Sequence, residues 1–88
     1  MTIQLKYPIF FKRVNGTWMG IAMGEHAREY SNMLRLNDMS YDVAKHLNEP
    51  IEREELTRRV MAEYEGSEGE VNQTIEQVLK QLREAGLL

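Results

Sequence analysis

The chain has 88 residues, 42% hydrophobic and 28% charged, with a net charge of −3 and no cysteine. That is the composition of one globular domain with a modest core. It excludes a disulfide scaffold, a thiolate zinc site, an iron–sulfur cluster and a cysteine nucleophile. No apolar run approaches the roughly 20 residues of a membrane span, and the polar N-terminus lacks a signal-peptide core, so a cytoplasmic protein with no membrane partner is expected.

Residues 9–23 read as a β-hairpin. Ile9-Phe10-Phe11 and Thr17–Met23 are strand-favouring, and Asn15-Gly16 between them tolerates the positive φ that a type I′ turn demands. A two-residue loop there sets Val14 opposite Thr17, Lys12 opposite Met19 and Phe10 opposite Ile21 on one side. Arg13 then lies opposite Trp18 on the other, as a cation–π pair. After the polar stretch 24–29, alternation from Tyr30 to Leu36 predicts a third strand over about Asn32–Leu36.

From Asn37 the period changes from two to 3.6. Asn37 caps a first helix with Met39, Val43 and Leu47 inward, broken before Pro50. A second helix over about Arg53–Tyr64 repeats Leu56, Val60 and Tyr64, with Glu54 and Glu55 suiting its N-terminal dipole. Ser67-Glu68-Gly69-Glu70 forms a capping box for a third helix, whose stripe is Val71, Ile75, Val78 and Leu82. Gly86 stands at the left-handed position that ends it, followed by Leu87. The expected architecture is α+β and winged helix-turn-helix-like: a single domain over 1–88, with a three-stranded antiparallel sheet in 1–36 and three helices in 37–88.

Catalytic chemistry finds no support. His26 and His46 lie twenty residues apart without further ligands at helical spacing, so both read as solvated side chains and no metal is expected. The glutamates fall on solvent-facing helical positions, where nothing shifts a carboxylate pKa. The serines lack a nucleophile elbow. Glycines 16, 20 and 24 lack the lysine-serine of a phosphate loop. The expectation is a non-enzyme without a cofactor.

Charge separates the remaining classes. Residues 1–36 carry five basic and two acidic groups; residues 37–88 carry six and twelve. A winged-helix DNA-binding transcription regulator is one reading of strands followed by three helices, but its third helix must face phosphate. Here residues 67–85 hold Glu68, Glu70, Glu76 and Glu84 against Lys80 and Arg83. That balance opposes nucleic acid. Leu79 lies about 70° off the centre of the apolar stripe at roughly 100° per residue, with Asn72 and Arg83 on the same flank. Either it broadens the core contact or it walls a groove beside the third strand. An open edge on that strand could accept a strand from another chain.

Leu36-Asn37, Val43, Leu47, Glu54-Glu55-Leu56, Val60, Tyr64, Val71, Ile75, and Leu79-x-x-Leu82-x-x-x-Gly86-Leu87-Leu88 together resemble the PqqD family, the pyrroloquinoline quinone (PQQ) synthesis protein D-like peptide chaperones. The resemblance runs well over 34–88 and departs at Asn48–Glu52, where family members carry a Gly-containing turn and a threonine cap. It implies a domain that binds the leader of a ribosomally made precursor peptide by β-strand addition and presents it to a radical S-adenosylmethionine or other peptide-modifying enzyme. Carried onto this chain, it implies Met33, Leu34, Arg35 and Leu36 on the strand and Asn72, Ile75, Leu79 and Arg83 on the helix as peptide-binding residues. The same open strand leaves a homodimer open.

Overall fold

The computed structural model describes residues 1–24 and 34–88. Among them the chain order is β1 (Thr2–Ile3), β2 (Ile9–Val14), β3 (Thr17–Ala22), β4 (Leu34–Leu36), α1 (Asp38–Ala44), a 3-10 turn (Lys45–Asn48), β5 (Ile51–Glu52), α2 (Arg53–Glu63) and α3 (Glu68–Glu84). The fold is α+β: the antiparallel sheet β2-β3-β4 precedes the three helices, as expected. A second, two-stranded sheet pairs β1 with β5, Thr2 opposite Glu52 and Ile3 opposite Ile51. The sequence reading had no strand at either place. Two-residue strands are too short to show a period.

Hairpin register follows from the turn. Asn15 and Gly16 adopt φ of 51° and 80°, and Val14–Thr17, Lys12–Met19 and Phe10–Ile21 are partners. Ile9, Ala22, Leu34 and Leu36 are buried on the inner face, whereas Phe10, Val14 and Ile21 are exposed on the outer one. At Gly20, a Cβ would lie 3.0 Å from Ile9 Cγ2 and 3.3 Å from Leu34 Cβ. Glycine there lets β3 sit close beneath its neighbours. Arg13 does stand opposite Trp18, but the expected cation–π pair is replaced. The indole stacks on Tyr41 at 3.6 Å and 5° and donates to Asp38 Oδ1 at 2.9 Å. The Arg13 guanidinium turns to Asp38 at 3.7 Å. Tyr41 covers one face of the indole, and Asp38, which accepts from its N–H, draws the guanidinium to the ring edge.

Caps form where the sequence placed them. Asn37 Oδ1 accepts from Ser40 N–H at 2.8 Å, and Ser67 Oγ accepts from Glu70 N–H at 3.2 Å. Gly86 takes φ of 80°, so Leu87 N–H reaches Leu82 O at 2.9 Å and the Leu87 side chain is buried. The core joins the inner sheet face to Val43, Leu47, Leu56, Val60, Val71, Ile75, Val78 and Leu82.

His46 departs from expectation. Its side chain is only 15% exposed and lies 3.3 Å from Glu63, because the 3-10 turn folds it against the end of α2. Lys45 beside it bridges Asp42 at 3.1 Å and Glu63 at 3.0 Å. Burial alone would lower the Lys45 pKa; the hydrogen bonds it donates to Glu63 and Asp42 outweigh that and raise it. His26 lies outside the described residues.

Candidate functional site

Two amide side chains border the three-stranded sheet. On the β2 side, Asn48 accepts from Ile9 N–H at 2.9 Å and donates to Ile9 O at 2.9 Å. It thereby mimics one residue of a neighbouring strand. On the β4 side, Gln81 of α3 donates through Nε2 to Arg35 O at 3.2 Å. The strand order β2-β3-β4 leaves β4 paired on one side among the described residues, and Gln81 of α3 reaches the other.

The expected strand residues divide by pleat. Leu34 and Leu36 point into the core, at 4% and 2% exposure, while the Arg35 side chain lies on the outer face among exposed residues. Met33 lies outside the described residues.

The expected helix residues do not join them. Ile75 is fully buried. Leu79 and Arg83 line a groove of about 310 Å³ with Met1–Gln4, Arg53, Glu76 and Leu88. Asn72 borders the adjoining groove of about 590 Å³ between α2 and α3. There Asn72 Oδ1 accepts from Thr57 Oγ1 at 2.9 Å and from Arg53 at 3.3 Å, and Arg53 pairs with Glu76 at 3.1 Å. At about 100° per residue, Asn72, Leu79 and Arg83 sit roughly 160–180° around α3 from Gln81. A chain lying along β4 meets the opposite flank of α3, where Thr74 is half-buried and Gln77, Gln81 and Glu84 are exposed.

Sequence reasoning placed Leu79 off the apolar stripe correctly. It could not say that this flank walls a groove with Met1–Gln4 rather than with β4. Gln81 was missed; its signal was a polar residue at helical spacing from Thr74 and Gln77, which alone is indistinguishable from solvated surface. Among the described residues no group of three His, Asp or Glu side chains converges as a metal site, and no helix is long and apolar enough to cross a membrane.

A short antiparallel sheet whose β4 strand is paired on one side only among the described residues, packed against three helices, makes a small α+β domain. Residues 23–88 match the family described as Coenzyme PQQ synthesis protein D (PqqD), and the chain belongs to that family. Comparison with curated proteins gave no match, nor did comparison with solved structures.

Proposed function

We propose that this domain captures the leader segment of a ribosomally synthesised precursor peptide as an added strand on β4 and presents it to a peptide-modifying enzyme of the radical S-adenosylmethionine type. Family membership supports a peptide-binding role in PQQ biosynthesis. The observation that carries the strand-addition reading is the β4 edge itself, three residues paired only to β3 among the described residues and flanked by a helix. Strand addition supplies affinity through backbone hydrogen bonds and specificity through side chains dropping to either face. The acidic balance of α3 favours a peptide over a phosphate backbone.

Of the expected strand residues, Leu34, Arg35 and Leu36 on β4 are retained. On the helix, contact is assigned to Thr74 and Gln77, on the same flank as Gln81. Asn72, Leu79 and Arg83 remain a separate groove on the far side.

The test is selection of binders from a phage-displayed random-peptide library, followed by titration of a synthetic winner into ¹⁵N-labelled protein. Perturbed amides should fall on Leu34–Leu36 and on residues 74–84. Perturbations confined to the β2 edge, or to the groove beside Met1–Gln4, would overturn the reading.

A further inference from the structure

We infer that Gln81 is a plug on the strand-accepting edge: its side-chain amide substitutes for a strand N–H at the Arg35 carbonyl, and an incoming peptide must displace it. This rests on the strand-addition reading and adds a gating residue to it.

Backbone parity places the Arg35 groups. In an antiparallel ladder, partners alternate between those that exchange both hydrogen bonds and those that exchange none. A two-residue loop makes Val14–Thr17 an exchanging pair, so Lys12–Met19 and Phe10–Ile21 exchange as well. Thr17, Met19 and Ile21 therefore turn their backbone groups toward β2. Trp18 and Gly20 turn theirs toward β4, onto Leu36 and Leu34. Arg35, between those two, directs both its N–H and its C=O away from β3.

Two other contacts fix the same parity independently. Met23 N–H donates to Pro8 O at 3.3 Å, continuing the ladder on the even positions of the first strand. Ile9, at an odd position, sends both groups outward to Asn48.

The two borders of the sheet are closed to different degrees. Asn48 engages both backbone groups of Ile9, whereas Gln81 engages only the carbonyl of Arg35. No partner is recorded for the Arg35 N–H among the described residues. The β4 edge thus offers a free donor next to an acceptor held by a single neutral hydrogen bond.

Gln81 is exposed, so holding its long side chain in one rotamer costs entropy. The net strength of such a bond is small, equivalent to roughly a 2- to 12-fold equilibrium effect. A segment that pairs with Arg35 at both groups and continues along the edge overcomes that. A single passing contact does not. The plug therefore sets a threshold favouring extended segments and shields an open strand from edge-to-edge association.

The test compares Gln81→Ala with the unmodified protein, using the library-selected synthetic peptide as probe. The variant's unfolding equilibrium should shift by no more than the loss of that one exposed hydrogen bond, the same roughly 2- to 12-fold effect. In the free unmodified protein, a scalar coupling across the hydrogen bond should link Gln81 Nε2 to the Arg35 carbonyl carbon. Peptide titration should abolish it in step with the shift of the Arg35 amide. The variant should bind the peptide about 2- to 10-fold more tightly. Absence of the coupling, its persistence in the complex, or unchanged or weaker binding by Gln81→Ala would overturn the plug even if the peptide maps to Leu34–Leu36. A peptide mapping elsewhere would overturn the strand-addition reading and the plug together.

Discussion

Leu79→Ala separates a core role for α3's second flank from a ligand-contacting one. Leu79 is 3% exposed, and the substitution removes three carbons, about 2.4 kcal/mol at roughly 0.8 kcal/mol per buried methylene. The cavity left behind raises buried Leu→Ala costs to about 2.7–5 kcal/mol. Leu88 and Ile3 line the groove beside it and can relax into part of the space, which places the expected loss at about 2.5–3.5 kcal/mol. For a domain of this length the whole stability is on the order of 4–13 kcal/mol, so the variant should remain folded with its melting temperature lowered by about 10–25 °C. Urea unfolding followed by far-ultraviolet circular dichroism should show a reduced midpoint with unchanged slope. Gln81→Ala, on the exposed flank, should lose no more than the one hydrogen bond to Arg35 O, about 0.5–1.5 kcal/mol. A loss below about 1 kcal/mol for Leu79→Ala would refute the burial argument and return Leu79 to the role of a solvent-facing wall.

Three further outcomes follow from the same geometry. Gly20→Ala should destabilise by about 1–2 kcal/mol, an overpacking cost of about 1–3 kcal/mol offset in part by a stiffer unfolded chain. Because the clashes are with Ile9 and Phe11 of β2 and with Leu34 of β4, the amide shifts should fall on both neighbouring strands; a neutral or stabilised variant would refute this. Asn48→Ala strips both hydrogen bonds from Ile9 and should cost about 1–3 kcal/mol by chemical denaturation, whereas Asn48→Asp should restore only the bond from Ile9 N–H. The β1–β5 pairing should depend on pH in two directions. Hydrogen bonds to Glu52, from the Met1 amine and then from Thr2, lower its pKa from the ordinary 4.5, so that support is present above 4.5 and lost as pH falls through the lower folded value. Glu52 raises the Met1 amine above its ordinary 8.0, so its share is complete below 8.0 and lost as pH rises through the raised value. Amide-exchange protection at Ile3, corrected for the intrinsic pH dependence of exchange, should be greatest between those limits, and Glu52→Gln should flatten the profile; pH-independent protection in the unmodified protein would count against this linkage.

The parts legible in the sequence were those governed by local chemistry. Asn15-Gly16 specified a turn, and the turn specified the register of six residue pairs. Ser67, Asn37 and Gly86 marked helix ends because each supplies something the backbone lacks there, an acceptor or a left-handed conformation. What stayed illegible depends on contacts distant in the chain. The pairing of Ile3 with Ile51 spans more than half the sequence and has no local pattern. Arg13 was correctly set opposite Trp18, yet Tyr41, from another element, took the indole face. The two flanks of α3 look equally amphipathic on a helical wheel. Only the positions of β1 and β4 decide that Leu79 is covered and that Gln81 meets a strand edge.

The Trp18–Tyr41 stack has an optical consequence. Trp18 is the chain's one tryptophan, and it sits on β3 directly across from Leu36 of β4. With Tyr41 parallel at 3.6 Å and Phe11 edge-on to the same tyrosine at 5.4 Å, the indole emits from a fixed aromatic surrounding one strand away from the edge. Its fluorescence and the near-ultraviolet dichroism of the ring pair therefore provide an intrinsic signal. They allow association at β4 to be followed in stopped flow on unlabelled protein.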